Sequence, residues 1–237
     1  MQSIYKIPGM KKTALNNMHR SMDAKMVEFV GFEMPVQFEG INIEHETVRK
    51  KLGVFDVSHM GEFWVEGPNA FDLVQKVTTN NAAALTNGKV QYSCFPNGKG
   101  GIVDDLLVYR FEADKYLLVV NASNIEKDWQ HINQMNSCNA KLNNASDDIS
   151  QIAVQGPLAL KAMQKLTDFP VEEMEYYTFQ ILEFAGIPGI IFSTTGYTGS
   201  GGCEIYMPNE YAETIYKAIL DAGEEFGIKP IGLGARD

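Results

Sequence analysis

Two adjacent aspartates, Asp104 and Asp105, interrupt a run that otherwise reads as a buried strand, from Gly100 through Ile102, Val103, Leu106, Leu107 and Val108 to Tyr109. Successive side chains on a strand point to opposite faces. One carboxylate therefore shares a face with Ile102, Leu106 and Val108, the other with Val103, Leu107 and Tyr109. At least one must enter an apolar environment, where an unpartnered charge costs several kcal/mol. A chain that places a carboxylate there has to supply a hydrogen-bonding partner, a route to water, or a chemical task.

The 237 residues suffice for one large domain or two small ones with an ample core. A net charge of -10 and the lack of any Lys/Arg run argue against a nucleic-acid surface. Cys94, Cys138 and Cys203 are too widely spaced for a metal-binding pair and odd in number for a disulfide framework, which fits a reducing cytoplasm. No apolar run reaches the roughly 18 residues of a membrane span. Residues 1–12 read as a leader or a cloning remnant, with Met10 as a natural start.

Hydrophobic periodicity predicts a surface helix over 41–52, strands around His59-Met60, and a helix through Val77. A meander follows: a strand over 90–95, the Gly-rich turn 96–101, the aspartate strand, and a strand over 116–122. A helix over about 124–135 carries Ile125, Trp129 and Ile132 on one face. The second half predicts strands over 149–154, 178–184, 189–193 and 204–207, with helices over 157–166 and 210–226. Without strict βαβ alternation, the fold class is α+β with mainly antiparallel sheets and flanking helices.

His19, His45, His59 and His131 are scattered and form no zinc signature, so metal hydrolysis is not expected and His59 reads as a hydrogen-bonded structural histidine. No serine elbow is present, and the glycines at 196–202 lack the lysine of a phosphate loop. Glu204 shares a strand face with Tyr206, while Cys203, Ile205 and Met207 point the other way. A solvated strand face explains this unless Glu204 and Tyr197 line a pocket. Such a pocket, with acids and tyrosines, suits a flat heterocycle bearing several N–H donors.

Six blocks in order carry a resemblance to a known family: Ala24 to Phe38, Gly53 to Glu62, the aspartate strand, Asn121 to Asp128, Gly196-Tyr197-Thr198-Gly199, and Gly232 to Asp237. Together they resemble the glycine cleavage system T-protein, the tetrahydrofolate-dependent aminomethyltransferase. The resemblance implies transfer of the carbon of an aminomethyl group, carried on the lipoylated H-protein, to tetrahydrofolate with release of ammonia. It implies no metal.

By position in the matching blocks, the resemblance makes Asp105 the catalytic carboxylate and places Tyr92, Tyr109, Asn121, Tyr197, Glu204 and Arg236 as folate contacts. Asp104 is left on the opposite face with a structural role. Two interleaved subdomains are expected, one over about 13–53 and 150–230, the other over about 54–149 plus 231–237. The C-terminal β-rich domain of the family is expected to be absent, which predicts weak or no transferase activity for the chain by itself. Arg236 is the cation expected at the entrance for the acidic tail of folate. The alternatives are a non-catalytic folate-binding module, disfavoured because no cysteine precedes Gly196-Tyr197, and a folate-dependent demethylase.

Overall fold

The structure is a computed structural model that describes residues 9–236; positions 1–8, most of the expected leader, lie outside the described residues. In chain order the elements begin with α1 (Asn16–Ser21), β1 (Lys25–Phe29), β2 (Phe32–Gln37), α2 (Ile41–Lys50), β3 (Gly53–Asp56), β4 (Gly61–Glu66) and α3 (Ala70–Val77). The meander is β5 (Lys89–Pro96), β6 (Ile102–Glu112) and β7 (Lys115–Val120), followed by α4 (Ile125–Met135) and β8 (Lys141–Asn144). The last group is β9 (Ile149–Gln155), α5 (Ala159–Met163), β10 (Phe179–Phe184), β11 (Ile187–Ser193), β12 (Gly202–Pro208), α6 (Ala212–Gly223) and β13 (Lys229–Pro230).

These strands form a six-stranded sheet in the order β10-β11-β12-β9-β3-β13, a five-stranded sheet in the order β5-β6-β7-β4-β8, and the hairpin β1-β2. Every pairing is antiparallel except β13 on β3. Strand alternation sorts the side chains into layers. From β12, Cys203, Ile205 and Met207 pack with Ile215, Tyr216 and Ile219 of α6, while Tyr206 points the other way. From β6, Leu106 and Val108 pack under Leu73, Val74 and Val77 of α3 and Ile132 of α4, while Tyr109 turns to the far face. The two sheets thus face one another across Tyr109, Leu117, Val119, Phe179, Ile191 and Tyr206, with helices outside.

The helices follow the same logic. Ala70, Leu73, Val74 and Val77 recur at the spacing of one helical face and are buried. The predicted surface helix, α2, also has a buried side: Val48 packs with Phe55, Ala153, Ile231 and Ala235. Glu44, fully buried on α2, explains why. Its Oε1 accepts from the backbone N–H groups of Phe38, Glu39 and Gly40 at 2.7, 2.9 and 2.9 Å, and its Oε2 from that of Gly232 at 2.7 Å. One carboxylate satisfies the backbone donors of the loop leading into its own helix and anchors a distant turn.

Two expected boundaries differ from the observed pairing. β3 joins the six-stranded sheet, because Val54, Phe55 and Asp56 pair with β9. Residues 231–236 belong with β2, β3 and α2, because Ile231 donates to Val54 and Gly232 to Glu44. The hairpin β1-β2 and strand β8 have no counterpart in the periodicity.

Gly202, at the head of β12, has φ +127°, and a Cβ there would lie 2.2 Å from the Val154 carbonyl oxygen. Gly202→Ala is expected to cost about 2–4 kcal/mol through overpacking and backbone strain, read as a lowered urea midpoint. An unchanged midpoint would contradict this packing.

Candidate functional site

A cavity of about 730 Å³ opens between the ends of the two sheets, within the size range of small-molecule sites. Its apolar lining includes Phe29, Phe55, Leu107, Val119 and Ala153, and its polar lining includes Asp105, Asn121, Gln151 and Glu204, with Tyr92, Tyr176, Tyr177 and Tyr197 around it. Strand register builds the Asp105 side. Tyr92 lies opposite Leu107 and Cys94 opposite Asp105, so Tyr92 is the diagonal neighbour of Asp105 on the same face. The Tyr92 hydroxyl donates to Asp105 Oδ2 at 2.9 Å. That hydrogen bond first, then burial, pushes the phenol up to about 12, so Tyr92 stays a donor at neutral pH.

Asn121 is the first residue after β7 and is free of the ladder's alternation. Its Nδ2 lies 3.0 Å from Asp105 Oδ1, 3.2 Å from the Asp105 carbonyl and 3.1 Å from Asp104 Oδ1. Both oxygens of Asp105 are thereby held, one by a phenol and one by an amide. Asp104 is buried on the opposite face, as the alternation requires.

Glu204 sits on β12, buried yet lining the same cavity. Its Oε1 accepts from Gln151 Nε2 at 3.0 Å and its Oε2 from Thr195 Oγ1. Burial pushes its carboxyl above the ordinary value, and those two hydrogen bonds oppose the rise. Tyr109 lies one layer deeper than expected. It is fully buried and is not among the lining residues; its hydroxyl meets those of Tyr206 at 2.8 Å and Thr195 at 3.1 Å. The face was read correctly, but Leu107 and not Tyr109 reaches the cavity wall, so Tyr109 supports the hydrogen-bonding partners of Glu204.

At the rim, Tyr197 is 75% exposed and its ring lies 3.9 Å from the Arg236 guanidinium carbon. Such stacking holds a cation beside the opening. Arg49 Nη1 donates to the Thr198 carbonyl at 3.1 Å and Ser200 Oγ at 2.8 Å, tying the glycine loop to α2. Gln155 fastens the loop base, donating to the Thr195 and Cys203 carbonyls and accepting from Thr198 Oγ1.

Three groups were missed in the sequence. His59 is buried against Phe29 and Phe32 and lines the cavity; burial lowers its pKa, and its Nδ1 has no partner among the described residues, so it is not the hydrogen-bonded histidine expected. Glu62 on β4 is fully buried, and neither oxygen has a partner among the described residues. Burial, then the charge of Glu204, pushes it well above the carboxylate range. The rule that singled out the aspartate pair, an acid in an apolar strand, applied equally to Glu62. The third is Asp128 on α4, fully buried although its neighbours Lys127 and Trp129 mark the helix as amphipathic. Among the described residues, no group of three or more His, Cys, Asp or Glu side chains is arranged to hold a metal ion.

Residues 15–237 match the family described as GCVT N-terminal domain. The chain is similar to the aminomethyltransferases of Flavobacterium psychrophilum and Bacteroides fragilis, each 59% identical over 228 residues that cover 96% of this chain and 63% of the relative. The chain thus spans about 63% of the length of these curated relatives. The solved structure of glycine cleavage system aminomethyltransferase T from Bartonella henselae superposes with a TM-score of 0.86 at 29% identity, over 96% of this chain and 61% of that one. A chain of heterotetrameric sarcosine oxidase from Corynebacterium sp. U-96 shares the fold, with a TM-score of 0.60 at 14% identity, over 93% of this chain and 98% of that one.

Burial of Glu62 sets a pH dependence. The folded chain keeps a proton that an unfolded glutamate releases above about pH 4.3. The folded state then binds more protons than the unfolded state, so this residue makes stability fall as pH rises from there to its raised folded pKa. In urea titrations at pH 5, 6.5 and 8, Glu62→Gln is expected to flatten that fall. An unaltered pH slope would contradict a neutral buried acid.

Proposed function

The chain belongs to the GCVT N-terminal domain family, and on that footing we propose that it supplies the folate site of a tetrahydrofolate-dependent aminomethyl transfer in the glycine cleavage system. In this reaction the carbon of an S-bound aminomethyl group on the lipoyl arm of H-protein passes to tetrahydrofolate. Ammonia leaves, methylenetetrahydrofolate forms and the lipoyl thiol is restored. The observation that carries the reading is the Asp105 carboxylate, held at both oxygens by Tyr92 and Asn121 and lining the same cavity as buried Glu204.

The residues present fit a pterin. Each oxygen of Glu204 accepts one hydrogen bond already and has a second lone pair available, which suits the paired N–H donors of an aminopyrimidine edge. The rings of Tyr92, Tyr176, Tyr177 and Tyr197 offer faces for a flat heterocycle, while Leu107, Val119 and Phe55 exclude water. Arg236 at the rim suits the acidic tail of a folate. When bound, the folate supplies the nucleophilic nitrogen that receives the carbon.

Asp105 then orients the pterin and holds or takes a proton at Oδ1 or Oδ2 while ammonia leaves. Tyr92, protonated at neutral pH, and Asn121 keep that carboxylate from rotating away. Tyr109 acts behind the site, through Tyr206 and Thr195. The partners in this reading are lipoylated H-protein and the folate, and the setting is the cytoplasm; among the described residues no helix is long and apolar enough to cross a membrane. The subdomain division is proposed to follow the two large sheets.

The test uses a protein spanning the full length of the curated relatives, supplied with aminomethylated H-protein and tetrahydrofolate. Ammonia and methylenetetrahydrofolate are expected in equal amounts; a product formed from N-methylated amino acids without ammonia would favour the demethylase. Asp105→Asn is expected to lower turnover about 100-fold or more, roughly 2.7 kcal/mol of transition-state stabilisation, with a much smaller loss in folate affinity. Equal losses in Asp104→Asn would show that the wrong aspartate has been assigned.

A further inference from the structure

We infer that Asp104 and Asp128 share a single proton, and that this buried acid pair positions Asp105 through the Asn121 amide, making Asp128 a positioning residue. The positioning role rests on the reading of Asp105 as the working carboxylate; the shared proton does not.

Asp128 projects from the first turn of α4 and is fully buried. Neither of its oxygens has a hydrogen-bond donor among the described residues, and neither does Asp104 Oδ2, itself buried on the helix-facing side of β6. Lys127, beside Asp128, donates to the carbonyl of Val103, beside Asp104, at 2.7 Å, which fastens the first turn of α4 to β6 at this point, and Asp104 is the largest charge acting on Asp128. Two ionised carboxylates cannot rest against each other out of water, whereas one proton between them turns orphaned acceptors into a donor and an acceptor. The residual single charge lies at the N-terminal turn of α4, where a helix favours it.

The other charged groups do not remove the need for that proton. From β6, Asp105 adds a like charge. On α4 itself, Lys127 opposes the rise, but its ammonium donates to the Val103 carbonyl at 2.7 Å. His131, one turn along, packs on Phe95 and is driven towards its neutral form by burial. Burial first, then Asp104, pushes Asp128 up to about 8.

The proton matters to the cavity because Asn121 bridges the two aspartates. With one proton shared behind it, Asp104 Oδ1 accepts one N–H of Asn121, which turns the other towards Asp105 Oδ1. Loss of the proton puts a second negative charge beside Asp104 and loosens that bridge from behind.

Infrared spectra of this chain between pH 6 and 10 test the pair. A neutral carboxylic-acid stretch is expected at pH 7 and lost with a midpoint near 8. Asp128→Asn should remove that component, while the Glu62 acid persists. Retention of the whole band in Asp128→Asn would overturn the shared proton. In the full-length protein, Asp128→Asn, which keeps shape and a donor, should hold kcat at pH 7 within about threefold and abolish the fall above pH 8. Asp128→Ala should lower kcat about tenfold with little change in the KM for tetrahydrofolate. An alkaline limb that stays in place in Asp128→Asn would overturn the positioning role. Wild-type turnover in Asp105→Asn would remove both that role and the reading of Asp105, while the shared proton would stand on the infrared result.

Discussion

The contact on which the candidate site depends is the hydroxyl pair of Tyr109 and Tyr206, 2.8 Å apart between the two sheets. Each tyrosine fixes its own strand, and each strand carries an acid on the same face. Asp105 is four residues before Tyr109 on β6, and Glu204 is two before Tyr206 on β12. The separation of the two carboxylates across the cavity is therefore set by a bond behind it. Thr195 and Gln151 extend the contact to Glu204, so this carboxylate cannot shift without disturbing the layer that joins the sheets.

A polar layer at such depth carries a cost that the apolar layers offset. Glu62 and Glu204 are both raised, with burial the first cause in each. Each keeps when folded a proton that the unfolded chain releases above the ordinary carboxylate range, so these acids withhold stability as pH rises. The large apolar clusters beneath α6 and beneath α3 and α4 supply what they withhold. Stability is held in the outer layers, and the charged chemistry lies where the sheets meet.

Much of this was legible in the sequence because strand alternation is a local property. It separated Asp104 from Asp105 and Glu204 from Ile205, and it gave Tyr109 its correct face. It could not say how deep along that face the cavity ends, so Tyr109 was placed in the wall when it lies behind. Glu44 and Asp128 escaped for another reason. Each sits on an amphipathic helix, where an acid ordinarily means solvent, and only tertiary partners reveal the buried side. The hairpin β1-β2 escaped because Val30-Gly31, both at positive φ, form its turn inside a run whose apolar spacing is irregular.

The Glu44 clamp has a kinetic consequence. Its carboxylate joins the loop before α2 to Gly232, a sequence separation of 188 residues. Closing a loop of that length costs entropy before any contact repays it, and distant contacts slow folding. The turn bearing Arg236 must dock onto elements near the other end of the chain. Strand β13, directly before that turn, pairs with β3, so the closure that completes the six-stranded sheet also brings the entrance into place.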